Sequence, residues 1–219
     1  MRGHPVFARI YGPLCALAER GELGERREKL LARAQGTVVE VGAGTGQSFR
    51  HYGPSVRRVL AVEPDPTMLR QARNRAQAAP VPVFLVGAAG ERLPFRDGSV
   101  DTAVVTLVLC SVDDQAVTAG ELRRVLRPGG TLLFLEHVRA ADAALARWQD
   151  RLARPWSWVA GGCRPNRRTR AALEAAGFDL VDVEAYDLRP GPPIVRPHLQ
   201  GVARAPERHS EKVTNPHRM

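Results

Sequence analysis

The sequence has little lysine, little cysteine and few aromatic residues, and each shortage argues against a class of protein. Only two of its 32 basic residues are lysine and aromatic residues make up 5% of the chain, so the mixture of cationic and aromatic side chains typical of nucleic-acid interfaces is thin. The three cysteines, Cys15, Cys110 and Cys163, are far apart and form no CxxC pair. We therefore expect reduced thiols, with neither a disulfide framework nor a metal site.

Long hydrophobic runs are also missing. The longest nearly unbroken apolar stretch, residues 103–110, is far shorter than the roughly 20 residues that a membrane-spanning helix requires. The N-terminal residues do not contain the apolar core of a secretory signal. These observations predict a cytoplasmic protein without a transmembrane segment.

The net charge of +9 is the one feature of the composition that suggests a nucleic-acid or membrane partner. Most of the excess lies towards the two ends, because residues 37–201 carry 21 basic and 17 acidic residues. We therefore expect no nucleic-acid partner. One local basic cluster remains, formed by Arg164, Arg167, Arg168 and Arg170.

From residue 37 onward, short β-branched runs alternate with helix-length segments, which is typical of a parallel sheet covered by helices. The predicted strands are residues 37–44, 58–64, 81–87, 101–110, 131–138, 180–188 and 194–205. The last two follow each other as a hairpin, so at least one strand should run antiparallel to its neighbours. The predicted fold class is α/β, a Rossmann-like doubly wound seven-stranded sheet, mostly parallel with a C-terminal antiparallel hairpin.

Three predicted helices have residues placed to cap their first turns. These are Asp65 before a helix over residues 66–78, Asp113 or Asp114 before a helix that ends ahead of a turn at residues 128–130, and Asn166 before a helix ending at Ala176. The predicted organisation is an N-terminal helical cover (1–36), one α/β domain (37–205) and a flexible tail (206–219). The apolar face of the first N-terminal helix either packs on the domain or touches a membrane surface.

A glycine-rich turn follows the first predicted strand, with Gly42, Gly44 and Gly46 at alternate positions. In doubly wound folds such a turn lets the backbone approach a nucleotide-like ligand at the carboxyl end of the sheet. The dinucleotide pattern GxGxxG would need glycine where Gln47 stands, and no phosphate-binding GxxxxGK[ST] loop is present. A cofactor without phosphate is therefore favoured, and S-adenosylmethionine is such a cofactor. Glu63 is placed to accept hydrogen bonds from its ribose hydroxyls.

The sequence resembles the class I S-adenosylmethionine-dependent methyltransferases. The segments that carry the resemblance are VEVGAGTGQ (39–47), AVEPDPTML (61–69), GERLPFRDGSVD (90–101), TLVLCSV (106–112) and LRRVLRPGGTLLFLEHV (122–138). Within that class the sequence looks most like the branch that includes the thiol S-methyltransferases of the animal endoplasmic reticulum, with quinone and phospholipid methyltransferases as neighbours.

The resemblance implies a set of cofactor-binding residues. The glycine turn would line the methionine and ribose, Glu63 would bind the ribose, and adenine would be recognised by backbone groups near Gly90, since many relatives have an aspartate where Ala89 stands. The full implied set is Glu40, Gly42, Ala43, Gly44, Gly46, Glu63, Pro64, Met68, Gly90, Glu91 and Leu107.

Candidate catalytic and acceptor-binding residues lie where the fourth and fifth strands end. His137 is a candidate general base because the unperturbed histidine pKa is near neutrality, and Glu136 is a candidate to orient it; a histidine that only bonds the backbone is the alternative. The predicted substrate-binding residues are Tyr11, Cys110, Cys163, Arg164 and Arg167. The arginines would hold an acidic group of the acceptor, and a solvated basic turn is the alternative.

We therefore expect methyl transfer from S-adenosylmethionine to a small-molecule acceptor. A thiol is the leading acceptor, since its pKa of about 8.5 leaves several per cent thiolate at neutral pH. The alternatives are O-, N- or C-methylation of a quinone, phenol or phospholipid headgroup, or a non-catalytic protein that only binds S-adenosylmethionine.

Overall fold

The computed structural model describes residues 21–207, which contain a seven-stranded sheet in the order β3-β2-β1-β4-β5-β7-β6. The strands are β1 (Gly36–Val41), β2 (Val56–Val62), β3 (Val83–Val86), β4 (Val100–Thr106), β5 (Leu126–His137), β6 (Asp179–Asp187) and β7 (Pro197–Arg204). Strands β1 to β5 pair in parallel, and β7 is antiparallel to both β5 and β6. The predicted Rossmann-like α/β fold with a reversed C-terminal strand is confirmed.

The helices in the same part of the chain are α1 (Glu22–Leu31), α2 (Pro66–Gln77), α3 (Gln115–Val125), α4 (Ala143–Val159) and α5 (Thr169–Ala175). Two predicted caps are confirmed. The Asp65 carboxylate accepts hydrogen bonds from the first-turn N–H groups of α2, and the Asp114 carboxylate does the same for α3. These caps fix where each helix leaves the carboxyl edge of the sheet.

Three predictions about where elements begin or end are wrong. Strand β4 ends at Thr106 rather than at residue 110, because Leu107 has a left-handed φ of 60°, which takes the chain out of the extended conformation. Asn166 does not cap α5, because that helix begins only at Thr169 with Arg168 at its N-cap position, and the Asn166 amide donates instead to Asp150 Oδ1 at 3.1 Å. The expected turn at residues 128–130 lies within β5, where Gly129 absorbs the bend with a φ of 69°.

The central strands of the sheet are buried on both faces, whereas the edge strands β3 and β6 are largely half-buried or exposed. Consecutive residues of β5 alternate between two apolar cores: Leu132 packs with α3 and α5 on one side, and Leu133 packs with α1 and α2 on the other. Burying each such side chain contributes about 1.5–3 kcal/mol. Because β1 to β5 run in parallel, their carboxyl ends form one edge on which a site can be built.

Some predictions fall outside the described residues. They concern Tyr11, Cys15, the first N-terminal helix and the tail beyond residue 207. Within residues 21–207 no helix combines the length and apolar character needed to cross a membrane. The domain boundaries and the cellular location stay predictions.

Candidate active site

The glycine turn leaves β1 at the carboxyl edge of the sheet, and its three glycines serve different purposes. Gly44 has a φ of 56°, and a Cβ there would meet mostly open space, so its side of the turn is free for a ligand. A Cβ at Gly42 would instead lie 2.4 Å from a methyl of Val108, and one at Gly46 would lie 2.5 Å from the Phe49 ring. Close packing and left-handed φ values of 67° and 81° account for glycine at these two positions.

Glu63 directly follows β2 and its carboxylate faces the same turn. Its Oε2 accepts from the Gly44 N–H at 3.0 Å and its Oε1 from the Asp65 N–H at 2.9 Å. The residue is only 6% exposed, and this burial raises the pKa of the carboxyl, although the two backbone N–H groups partly oppose the rise. The structure therefore brings Glu63 and the glycine turn together, as their sequence positions predict.

Two polar atoms in this turn suit a polar ligand. Thr45 Oγ1 and Gln47 Nε2 are buried and have no hydrogen-bond partner within residues 21–207. Buried polar groups usually have a hydrogen-bond partner. Thr45 directly follows Gly44, where a side of the turn is open. An adenosine and amino-acid cofactor without phosphate fits this arrangement of unpaired polar atoms and one buried carboxylate. Pro64 and Met68, both half-buried, lie just beyond Glu63.

Other residues of the implied cofactor set also have structural partners. Glu40 is buried on β1 and accepts a hydrogen bond from the Tyr52 hydroxyl at 2.9 Å. The Ala43 N–H donates to the Val62 carbonyl at 3.0 Å. A Cβ on Gly90 would come within 2.9 Å of a β1 side chain, and Glu91 Oε1 accepts from the Asp113 N–H at 2.9 Å. These residues therefore order the edge of the sheet around the turn.

The loop after β4 is fixed by one buried carboxylate. Glu136 is fully buried on β5; its Oε1 accepts from the N–H groups of Val108 and Leu109 at 2.9 and 3.0 Å, and its Oε2 from that of Cys110 at 3.2 Å. Burial raises the pKa of Glu136 to about 7 despite these three bonds. Both oxygens thus point to the loop, where Leu107 is anchored by an N–H bond to the Leu135 carbonyl at 2.8 Å.

The structure corrects the expectation that the thiols are scattered. Cys110, His137 and Cys163 meet beside the loop, and their Sγ and ring-nitrogen atoms all lie within 4.8 Å of one another. His137 Nδ1 is 3.2 Å from Cys163 Sγ. The hydrogen bond from Cys110 and then the contact with His137 lower the pKa of Cys163, whereas the bond to Cys163 and burial raise that of Cys110. The cluster could not be recognised from the sequence because its members come from three separate segments.

Backbone bonds dock the turn that carries Cys163 onto the β4 loop. The Arg164 N–H donates to the Cys110 carbonyl at 2.8 Å, and the Arg139 N–H donates to the Arg167 carbonyl at 2.9 Å. The guanidinium of Arg167 also donates to the Val112 carbonyl at 2.6 Å. The sulfur cluster is therefore held by the surrounding backbone and not by side-chain contacts alone.

The predicted arginine cluster lies next to this turn. Arg164, Arg167 and Arg168 line a polar cleft of about 460 Å³ together with the Arg139–Asp150 ion pair, Gln115 and Asn166. Burial and the neighbouring charge of Arg164 lower the pKa of the half-buried Arg167. Arg170 does not line the cleft and lies 3.7 Å from Glu174. Arg164 and Arg168 are exposed, so the cleft presents positive charge to solvent.

Sequence reasoning missed Arg27, a buried residue of α1. Its guanidinium donates to Ser48 Oγ at 3.1 Å and to Thr106 Oγ1. It thereby connects α1 to the segment after the glycine turn and to the end of β4. One signal was available, because Arg27 falls at helical spacing with the buried Leu23 and Leu30.

Comparison with known proteins places this arrangement in a class. Residues 39–134 match the family described as Methyltransferase domain. An S-adenosylmethionine-dependent methyltransferase of Thermotoga maritima has the same fold, with a TM-score of 0.67 at 22% identity over 91% of this chain and 98% of the other. A second such enzyme, from Mesorhizobium loti, gives a TM-score of 0.60 at 21% identity over 82% and 96%.

Three relatives with named activities show which methyltransferases this chain is similar to in sequence. The human thiol S-methyltransferase TMT1A is 34% identical over 90% of this chain and 82% of its own length, and human TMT1B is 36% identical over 80% and 74%. A ubiquinone/menaquinone C-methyltransferase of Hahella chejuensis is 33% identical over 56% and 51%. The chain belongs to the S-adenosylmethionine-dependent methyltransferases and is homologous to the thiol S-methyltransferases, and its cofactor is S-adenosylmethionine.

Proposed function

We propose that the protein transfers the methyl group of S-adenosylmethionine to the thiol of a small-molecule acceptor. The observation that carries this proposal is the extent of the similarity to the thiol S-methyltransferases. A match over 90% of the chain includes most of the residues after β5, which contain the Cys163 turn and the arginine cleft. The match to the quinone C-methyltransferase covers 56%, and C-methylation of a quinone is the second candidate.

On this proposal the glycine turn and Glu63 bind the cofactor. Each oxygen of Glu63 accepts one backbone bond and has a lone pair left for a ribose hydroxyl. Thr45 Oγ1 and Gln47 Nε2 gain the partners that they lack within the described residues. The open side of Gly44 gives the methionine part access to the backbone.

When bound, S-adenosylmethionine supplies an electrophilic methyl group on a positively charged sulfur. The protein's task is to hold the acceptor in line with that methyl and to exclude water, and positioning alone can account for about 7–11 kcal/mol of the barrier. Glu136 serves this task by fixing the β4 loop at three successive N–H groups. A thiol needs little help with deprotonation, because about 3% of it is thiolate at pH 7.

A panel of thiol, phenol, quinol and amine acceptors with methyl-labelled S-adenosylmethionine tests the proposal. We expect label in the thiol products, loss of transfer in Glu63→Ala, and retained transfer in Asp101→Asn, which changes a carboxylate at the opposite end of the sheet. Label only in quinol or phenol products would support the second candidate. Cofactor binding without transfer to any acceptor would indicate a non-catalytic binding protein.

We further propose that the arginine cleft selects acceptors that carry a negative charge. Arg167→Ala is a poor probe on its own, because that residue also holds the Val112 carbonyl. Arg164→Ala is better, since Arg164 lines the cleft and its side chain is exposed. We expect a raised KM for an acidic thiol and an unchanged KM for a neutral one, with Arg170→Ala as the matched control. An equal effect on both acceptors would reject this role.

A further inference from the structure

We propose that Cys110, His137 and Cys163 form a binding site for one soft divalent metal ion, of the chemical class of Zn²⁺. This reverses the expectation from cysteine spacing. It concerns the ion alone, so it stands or falls independently of which acceptor the protein methylates.

The distances between the donor atoms suit such an ion. Zinc binds thiolate sulfur at about 2.3 Å and imidazole nitrogen at about 2.0–2.1 Å in a tetrahedral arrangement, which separates neighbouring donors by about 3.5–3.8 Å. Here all three donor atoms lie within 4.8 Å of one another, and His137 Nδ1 is 3.2 Å from Cys163 Sγ. Small side-chain rotations would therefore complete the coordination.

The chemistry of the donors selects the kind of ion. Two sulfurs and one imidazole favour zinc and similar soft ions over Mg²⁺ or Ca²⁺, which require oxygen ligands. The carboxylate of Glu136, the residue before His137, already accepts three backbone hydrogen bonds. Two thiolates and a neutral imidazole around a divalent ion have no net charge, so the complex is compatible with the burial of both cysteines.

The donors are also held in place before any ion arrives. Glu136 fixes the backbone of Cys110, and the Arg164 N–H bond to the Cys110 carbonyl brings the Cys163 turn against the same loop. The ring of His137 contacts the ring of His198 at 4.5 Å between centroids, which restricts its rotation. Outer partners of this kind tune metal affinity in known sites. Three protein ligands leave a fourth position for an exchangeable ligand.

Cobalt substitution tests the site directly. The full chain, reduced with a non-thiol phosphine and kept free of oxygen, would be titrated with Co²⁺ and then with Zn²⁺. We expect one equivalent of Co²⁺ to give a thiolate-to-metal charge-transfer band and the visible bands of tetrahedral cobalt, and we expect Zn²⁺ to abolish them. In chelator competition, Cys110→Ser and Cys163→Ser should each lose at least about 100-fold in Zn²⁺ affinity, since even an outer-partner change can cost ~10–100-fold.

Cys15→Ser is the matched control, because it replaces the remaining thiol of the chain and leaves Cys110, His137 and Cys163 in the sequence. It should keep both the band and the affinity. A thermal scan provides an independent readout: Zn²⁺ should raise the melting midpoint of the wild type and of Cys15→Ser but not of the cluster variants. The proposal is overturned if the wild type shows neither band nor midpoint shift, or if Zn²⁺ binding survives both cluster substitutions and marks only an adventitious ion.

Discussion

Replacing Glu63 should weaken S-adenosylmethionine binding by an amount that its hydrogen bonds define. Each carboxylate oxygen already accepts one backbone N–H and has capacity for one ribose hydroxyl. A hydrogen bond to a charged group contributes about 1.5–3 kcal/mol, and because two bonds to one carboxylate do not add fully, the expected total is roughly 2–4 kcal/mol. We therefore expect Glu63→Ala to raise the Kd by about 30-fold to 1,000-fold. Glu63→Gln, which keeps one carbonyl oxygen, should have a smaller effect.

The pH dependence of binding gives a second signature. Burial raises the pKa of Glu63, so its ionised form is lost on acidification at a higher pH than that of an ordinary glutamate, whose pKa is about 4.3. The wild-type Kd should therefore rise as the pH falls through the raised pKa, while the Kd of Glu63→Gln should show no such step.

Isothermal calorimetry across this pH range measures both effects. Asp101→Asn is the matched control. The Asp101 carboxylate also accepts a backbone hydrogen bond, from the Thr37 N–H at 2.7 Å, but it lies at the amino end of β4, away from the glycine turn. An unchanged Kd in Glu63→Ala, with the variant folded, would refute the ribose assignment. A pH step that persists in Glu63→Gln would show that another group titrates.

The remaining predictions concern stability and packing. Asp101→Asn should lower the free energy of unfolding by about 1–2 kcal/mol in urea titrations. The folded-state pKa of Asp101 is lowered, because its contacts with the Thr37 N–H and with arginines outweigh the effect of burial. The difference in stability from wild type should therefore be fully present above pH ~4 and disappear as the pH falls through that lowered pKa. Glu136→Gln should cost about 1–3 kcal/mol, since its single carbonyl oxygen cannot serve three N–H groups. Gly42→Ala should lower the melting midpoint through left-handed strain of about 1–2 kcal/mol and a clash with Val108, and adding Val108→Ala should recover part of the loss.

Each of these predictions has an outcome that contradicts it. A difference between Asp101→Asn and wild type that is the same at every pH would exclude the ionised carboxylate as its source. Wild-type stability in Glu136→Gln would mean that water or neighbouring groups replace the lost bonds. Strictly additive losses in the Gly42 and Val108 double-mutant cycle would argue against their contact.

The sequence was most informative where local rules decide the structure. The alternation of apolar strands and helices predicts the sheet, and Asp65 and Asp114 cap the helices as expected, because strand burial and caps depend on neighbours within a few residues. Asn166 is not a cap because α5 begins only at Thr169, and the Asn166 amide binds Asp150 in another helix instead. A competing long-range partner is invisible to any local rule.

The candidate site likewise contains parts that local sequence rules predict and parts that depend on long-range contacts. The glycine turn and Glu63 were predictable, since both directly follow strands whose carboxyl ends meet at one edge. The sulfur cluster was not predictable, because Cys110 and Cys163 belong to separate loops that meet only through tertiary contacts. Arg27 was overlooked because its role depends on Ser48 and Thr106, which lie far from it in sequence.

The position of β7 has a consequence for how the chain folds during synthesis. β7 follows β6 in the sequence, yet it lies between β5 and β6 in the sheet, and among the strands of residues 21–207 β6 pairs only with β7. A nascent chain that has emerged only as far as Asp187 therefore contains β6 without its partner strand. Strands β1 to β5 can pair while the chain is still on the ribosome. β6 joins the sheet only after β7 has inserted between it and β5.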